Sequence, residues 1–256
     1  MSRMTDRLGS KDIVTKARKQ YENDQFSKLP TVAVSLPSEG KTYPKSHPLR
    51  EGYVEMRYPT AYHEDILTNT SYIKQGIVLD RLLESLCATD INMDELLVAD
   101  KEKMILSARI LAYGHEYPVT VTDPKTKKSI QRVIDLNTIS ITNINLDSDD
   151  NGEFDYKSTD FSLKFTFPTS GILSNIREES TISDLLKNLI CEVDGHRDQA
   201  VIDDFIKYKL LANEAKKFRK YIEKHVPLMD KSAEFKGEDG STFSAGFQIS
   251  YDFFWT

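Results

Sequence analysis

Cysteine is scarce in this sequence, and long apolar runs are missing. The 256 residues include two cysteines, Cys87 and Cys191, which are too few for the disulfide framework of a small secreted domain. The first twenty residues lack the apolar core of a signal peptide, and no stretch approaches the roughly 18 consecutive apolar residues of a membrane span. We therefore expect a protein of a reducing cytoplasm with no membrane among its partners.

Recognised catalytic motifs are missing as well. The patterns GxSxG, GxxxxGK[ST], HExxH and GxGxxG occur nowhere in the chain. An enzyme whose site is assembled from distant positions remains an alternative, because catalytic groups often converge only in the folded chain. The interpretation that we favour is a protein that is not an enzyme, needs no cofactor and works through contacts with other proteins.

Metal-binding patterns are present only as fragments. Residues 147–158 match an EF-hand calcium loop at positions 1, 3, 5 and 6, but Ser158 stands where position 12 requires a glutamate. A solvated turn at Asn151–Gly152 explains this stretch. Cys191 and His196 lie five residues apart without the second ligand pair that a structural zinc site needs. The sequence therefore predicts no bound metal.

The charge balance is acidic, with one basic exception. The net charge is −6, whereas nucleic-acid binders usually have a basic domain, so we expect no nucleic acid as partner. The predicted helix NEAKKFRKYIEKHV buries Phe218 and Ile222 and presents a row of lysines, which are candidates for partner binding. These lysines are Lys216, Lys217, Lys220 and Lys224. A nucleic-acid-binding module that uses the Lys216–Lys224 helix is therefore a further alternative.

Helical and strand patterns occur in blocks rather than in strict alternation, which predicts an α+β fold with a helix-rich centre. Helices are predicted at 11–24, 60–67, 75–88, 98–114, 182–193, 198–211 and 213–226. Strands are predicted at 31–35, 52–59, 137–146 and 160–167, and two hairpins at 116–136 and 233–256. Asp100 is the predicted N-cap of the helix that ends at Gly114.

Three regions are predicted along the chain. Residues 1–29 form an N-terminal arm, 30–170 an α+β region with the first hairpin, and 171–256 a helical region with the second hairpin and an aromatic end. The arm contains an amphipathic helix whose apolar face is a candidate partner-binding surface, because a short helix is marginal in water unless that face is packed. The residues of this face are Ile13, Ala17 and Tyr21.

The aromatic end raises a question of burial. Phe253, Phe254 and Trp255 are consecutive, and strand alternation cannot place all three on one sheet face. We expect Phe253 to face inward together with the odd-numbered residues 247–251. Phe254 and Trp255 are then the exposed residues and are predicted to bind a partner.

The order of several blocks resembles a known family. "LPSEGKTYP", "GYVEMRYPTAYHEDIL", "IKQGIVLDRLLESLC" and "ELLVADKEKMILSARILAYGHEYPVTV" are followed by "LLANEAKKFRKYIEKHVP" and a terminal "DFFW". This arrangement, over about residues 30–256, is similar to the baseplate hub protein family of contractile-tailed, T-even-type bacteriophages. That family includes a hub subunit and a related hub assembly catalyst.

The resemblance implies a late, structural or assembly protein that acts through contacts with other baseplate hub and tail proteins. It implies a place in the host cytoplasm during assembly, with the virion tail baseplate as its alternative destination. Many relatives have zinc-ribbon-like CxxC pairs in the two hairpins, but here the turns read "TDPKTKKS" and "KGEDGSTF". Zinc is therefore not inferred from the family.

Overall fold

The computed structural model describes Phe26 and residues 28–177, 179–237 and 239–255. Its helices are α1 Ala61–Leu67, α2 Thr70–Gln75, α3 Val78–Leu86, α4 Val98–Tyr113, α5 Ser170–Ser174, α6 Ile182–Leu189, α7 Gln199–Asp204 and α8 Ala212–His225. Its strands are β1 Thr31–Ser35, β2 Tyr53–Arg57, β3 Glu116–Thr122, β4 Ser129–Asp135, β5 Phe154–Lys157, β6 Ser162–Phe165, β7 Ile190–Val193, β8 Ser232–Lys236 and β9 Thr242–Gly246. Single helical turns lie at Pro48–Glu51, Met93–Glu95, Leu136–Thr138, Phe205–Lys209 and Tyr251–Phe254.

The predicted α+β class is confirmed. In the described residues the strands form small antiparallel sheets, namely β1–β2, β3–β4, β5–β6–β7 and β8–β9. The register is regular in the pair β1–β2, where Val34 lies opposite Val54, and in β8–β9, where Phe235 lies opposite Phe243. Antiparallel neighbours need only short turns between them, and Asp123-Pro124 and Asp239-Gly240 supply two such turns.

The first hydrophobic core surrounds α4. This helix is apolar on most sides, and Met104, Leu106 and Ala108 are buried, as expected of a central helix. The sheet β1–β2, helix α3 and the hairpin β3–β4 pack around it. Residues 229–254 complete the same core from a distant part of the sequence.

The second core lies between the sheet β5–β6–β7 and helices α6, α7 and α8. Four phenylalanines form its centre, with ring centroids 4.9–5.8 Å apart between neighbours. They are Phe154, Phe165, Phe167 and Phe218. Leu97 and Ala99, at the start of α4, also belong to this core, so α4 joins the two.

The two hairpins pack against each other within the first core. Tyr117 of β3 and Phe247 have ring centroids 5.8 Å apart. At the opposite end, Lys125 Nζ lies 3.0 Å from an Asp239 carboxylate oxygen, so the two turns are joined by an ion pair. The predicted boundary between the regions 30–170 and 171–256 remains a prediction. Each of the two cores contains residues from both of these regions.

Several sequence-based element assignments are wrong, and two of them have a clear cause in the packing. Residues 137–146 were expected to form a strand, but they form one isolated bridge, Ile141 to Met229. The segment crosses between the cores, and its backbone hydrogen bonds go first to residues 228–230 and then to Pro37. The helix at 182–193 ends at Leu189, and Ile190–Val193 pairs with β6 instead. Pairing with an open sheet edge overrides the helical pattern there.

Candidate docking surface

The aromatic end is fastened to the first core by a 3₁₀ helix, Tyr251–Phe254. Phe253 is 1% exposed, and its ring lies 4.8 Å from that of Tyr117. The Arg109 side chain, which is also buried, donates from Nε to the carbonyl oxygen of Phe253 at 3.2 Å. The end of the described chain is therefore held by both packing and a buried charged hydrogen bond.

The prediction that Phe253 faces inward is right, but the predictions that Tyr251 is buried with it and that Phe254 is exposed are wrong, since Tyr251 is 37% exposed. Phe254 is 3% exposed and packs with Phe253 at a ring distance of 6.0 Å. A 3₁₀ helix turns about 120° per residue, so two consecutive side chains can reach the core, which strand alternation forbids. Trp255 is 44% exposed, as predicted.

Trp255 belongs to a set of exposed apolar side chains, which we call the aromatic strip: Tyr62, Tyr113, Val133 and Trp255. Tyr113 and Trp255 have ring centroids 6.5 Å apart. Beside them lies a shallow depression of about 500 Å³, which Val133 lines from the neighbouring hairpin. Tyr113, Val133 and Trp255 share this depression, and a contiguous exposed patch marks an interaction surface more often than scattered apolar residues do.

Helix α1 extends the strip on its other side. The Tyr113 hydroxyl donates to a Glu64 carboxylate oxygen at 2.8 Å, which ties the end of α4 to α1. Burial, together with Glu64, raises the pKa of Tyr113 to about 12, so the tyrosine remains a neutral donor. His63, next to Tyr62, shares a cavity of about 160 Å³ with Tyr113 and Phe254.

Most of the strip was not identified from the sequence. Trp255 was predicted, but Tyr62, Tyr113 and Val133 come from three other elements that meet only in the fold. One local signal existed. Val133 adjoins the buried Ile134 in β4, so strand alternation places this apolar residue on the outer face.

The predicted lysines lie on the exposed face of α8, away from the strip. Phe218 and Ile222 bury the opposite face in the second core. Lys217 is paired with Glu214 at 2.7 Å, whereas the structure gives Lys216 and Lys220 no ion pair among the described residues. The lysines therefore lie on a different core from Trp255, and the predicted site residues do not form one site.

The proline-rich loop between β1 and β2 is anchored by a buried polar cluster. Asp100 accepts hydrogen bonds from the Ser38 backbone N–H at 2.9 Å and from the Tyr43 hydroxyl at 2.6 Å. The Tyr43 oxygen accepts from the Leu97 N–H at 3.3 Å. Asp100 was predicted as an N-cap, which is wrong, because α4 begins at Val98 and the carboxylate binds the loop instead.

A groove of about 540 Å³ runs between this loop and helices α5 and α6. His47 lines it, stacked on Tyr43 at 4.7 Å, with Nε2 3.4 Å from a Glu95 carboxylate oxygen. The other ring nitrogen, Nδ1, accepts from the Leu49 N–H at 3.2 Å. Both nitrogens of His47 thus hold the loop in shape, and burial lowers its pKa despite Glu95.

The candidate calcium loop is a turn in which the carboxylate at position 3, Asp149, is engaged by protein groups. Asp149 accepts from the N–H groups of Asn151 and Glu153 and pairs with Lys164 at 2.7 Å. Among the residues that the structure describes, no group of three or more histidine, cysteine or acidic side chains is placed to hold a metal ion.

The predicted face of the N-terminal arm, with Ile13, Ala17 and Tyr21, lies outside the described residues. The described chain begins at Phe26, whose ring centroid is 5.1 Å from that of Tyr62 and 5.8 Å from that of His63. Phe26 therefore lies against Tyr62 of α1.

A family model described as "T4 bacteriophage base plate protein" matches residues 30–226. Neither the curated proteins nor the solved structures provide a match. In the described part of the chain, each helix is too short or too polar to cross a membrane.

Proposed function

Because the chain belongs to the T4 bacteriophage base plate protein family, it is a structural protein of the phage tail baseplate, and we propose that it is a hub component or hub-assembly factor. The order of its sequence blocks, which is similar to that of hub proteins, supports the hub assignment. Its partners in this proposal are other baseplate hub and tail proteins, met in the host cytoplasm during assembly.

The observation that carries the proposal is the aromatic strip on a rigid support. Trp255 and Tyr113 are exposed, yet the residues that hold them, Phe253 and Arg109, are buried and hydrogen-bonded. Aromatic side chains held in this way make strong interface anchors, because little conformational entropy is lost on binding. We infer that the strip docks a neighbouring baseplate protein.

The test is co-purification of the tagged chain from infected cells, followed by mass spectrometry of assembled baseplates and of free precursors. A hub component is expected in both fractions, and an assembly factor only in the precursors. Recovery of the chain in neither fraction would overturn the proposal.

Trp255→Ala tests the docking surface in the same assay. Loss of an interface anchor costs about 2 kcal/mol or more, so the variant should recover far less of its partners. Tyr208→Ala is the matched control, because Tyr208 is an aromatic residue 70% exposed beside the second core. Equal recovery by Trp255→Ala and Tyr208→Ala would show that the strip is not the docking site.

The basic face of α8 allows the alternative function, nucleic-acid binding, to be tested separately. Residues 205–228 contain seven lysines and arginines against two glutamates, in a chain of net charge −6. Binding to heparin or DNA that weakens with salt, and that is lost in Lys216→Glu with Lys220→Glu, would favour a nucleic-acid-binding module. We expect no such retention.

A further inference from the structure

Both sides of the groove between the proline-rich loop and helices α5 and α6 are fixed in place. The loop side is anchored by Asp100. On the other side, the Ser170 N–H at the start of α5 donates to the Leu96 carbonyl oxygen at 2.8 Å. A Cβ at Gly171 would lie 2.8 Å from that of Asp94, so α5 packs closely on the turn that precedes α4. Because the groove is preformed, little freedom is lost when a ligand enters it.

The charged side chains that line the groove are acidic. They are Asp94, Glu95 and Asp184, and the lining includes no lysine or arginine from the described part of the chain. Glu95 lies beside His47, whose pKa is lowered by burial, so the imidazole adds no charge at neutral pH. Hydrogen bonds from the Thr181 N–H and hydroxyl lower the pKa of Asp184, which stays ionised. The groove therefore favours a cationic group over an anionic one.

Asp94 offers such a cation an uncommitted carboxylate. Its side chain is exposed, and within the described chain no hydrogen bond or ion pair engages it. Glu95, by contrast, accepts from Asn92 at 3.0 Å and lies 3.4 Å from His47. An incoming cation can therefore pair with Asp94 without breaking a contact of the folded chain.

The side of the groove formed by α5, α6 and the residues between them adds an apolar surface. Ile172 and Leu185 are half-buried against the second core, and Ile176 is 40% exposed. Asn175 and Asn188 also line the groove, and side-chain amides both donate to and accept from a peptide backbone. A small cation would leave the apolar side chains uncovered, whereas a peptide would use all three kinds of lining group.

We propose that this groove binds an extended segment of a partner protein in which arginine or lysine alternates with aliphatic residues. In an extended chain successive side chains point to opposite sides, so the basic set can meet the carboxylates while the aliphatic set covers Ile172 and Ile176. The groove adjoins the second core, whereas Trp255 lies on the first. It is thus a docking site distinct from the aromatic strip, and the proposal goes beyond the proposed function.

The probe is a hexapeptide of alternating leucine and arginine with a neutral fluorophore, titrated with the full chain and followed by fluorescence anisotropy. Binding should weaken as salt rises, because charges exposed to solvent are screened. The same peptide with glutamate in place of arginine should not bind. A peptide with serine in place of leucine should bind about tenfold more weakly or worse, since it buries far less apolar area.

Variants of the full chain locate the bound peptide. Asp94→Asn should raise the dissociation constant about tenfold, the usual effect of losing a charged hydrogen bond. Asp90→Asn is the matched control, because it removes the same charge at an exposed position outside the groove. Ile176→Lys should also weaken binding, whereas Ile182→Lys should not, since Ile182 is 55% exposed but does not line the groove. All four changes are at the surface, so the unfolding temperature should stay nearly constant.

Four results would overturn the proposal. No binding of the leucine–arginine peptide at about 1 mM would leave the groove without this ligand. Equal weakening by Asp94→Asn and Asp90→Asn would mean that the peptide follows the net charge of the chain. Tighter binding of the glutamate peptide would reverse the charge preference. A dimer in light scattering that is lost in Ile176→Lys but kept in Ile182→Lys would assign the groove to a second copy. The measurements use the isolated chain, so their outcome is independent of the baseplate role.

Discussion

Single residues decide how the proline-rich loop between β1 and β2 is held. Gly40 has a φ of +77°, and a Cβ at this position would lie 2.1 Å from the carbonyl oxygen of Arg50. The Gly40 N–H also bonds the Ser38 side chain at 3.2 Å. The loop thus closes on itself through backbone contacts that leave no room for a side chain, while Asp100 anchors it to α4 from below.

Gly40→Ala should therefore be strongly destabilising. Gly76→Ala is the matched control, because Gly76 has a similar φ of +71° and a methyl group there would meet nothing within 4 Å. The control should lose about 1–2 kcal/mol, the cost of a left-handed alanine. Gly40→Ala should lose more, since the Arg50 carbonyl must also move. Urea unfolding measures both, and equal losses would contradict the steric argument.

The Asp100 carboxyl should make stability depend on pH. Burial raises its pKa, although hydrogen bonds from Ser38 and Tyr43 oppose that effect. An acid with a raised pKa binds its proton more tightly in the folded state. This stabilising contribution is complete below the unfolded pKa of about 3.9 and is lost as pH rises through the folded value.

The pH dependence of stability can be tested with the variant Asp100→Asn, whose amide side chain does not titrate. The free energy of unfolding of the unmodified chain, relative to that of the variant, should fall as pH rises above about 4. Urea titrations of both chains over a pH series measure the difference. A difference that increases with pH would mean that the hydrogen bonds lower the pKa more than burial raises it.

At the scale of elements, the 3₁₀ helix Tyr251–Phe254 separates stability from docking. Phe253 and Phe254 fill the first core, whereas Trp255 remains on the surface. Phe253→Ala and Phe254→Ala should each cost about 3–5 kcal/mol, the usual loss for a buried aromatic residue. Trp255→Ala should cost much less. Thermal unfolding of the three variants tests this, and equal losses for all three would refute the separation.

Elements with strong local signals were predictable from the sequence. Asp123-Pro124 and Asp239-Gly240 identify the two hairpin turns, because these residues favour tight turns. The apolar middle of α4 identifies the central helix. The short strands β5 and β7 were missed, since one lies in an acidic stretch and the other continues a helical pattern, and only their pairing with β6 makes them strands.

The candidate site was less predictable, for a related reason. Trp255 stands out in the sequence, but the strip exists only because α1, α4 and β4 bring Tyr62, Tyr113 and Val133 beside it. Phe254 was predicted to be exposed, because its burial depends on whether the final residues form a strand or a 3₁₀ helix. Long-range contacts such as the Arg109 to Phe253 hydrogen bond decide that, and no local pattern encodes them.

At the scale of the whole molecule, the first core depends on residues 229–254. Phe235, Phe247 and Phe253 pack on Tyr117 and Ile134 of the first hairpin. A chain shortened after residue 228 should therefore lose hydrogen-exchange protection throughout β3 and β4. Protection in β5 and β6, which belong to the second core, should persist longer. Retained protection in β3 and β4 would show that the first core closes without its distant part.

This arrangement also sets an order of events during synthesis on the ribosome. The second core needs nothing beyond residue 226, so it can form while later residues are still being added. The first core begins earlier in the sequence but waits for Phe254 to emerge. Folding from the N-terminus, the usual direction for growing chains, is thus reversed for the two cores. A chain whose translation stops early presents an open first core and no Trp255, and so has no finished surface to offer a growing baseplate.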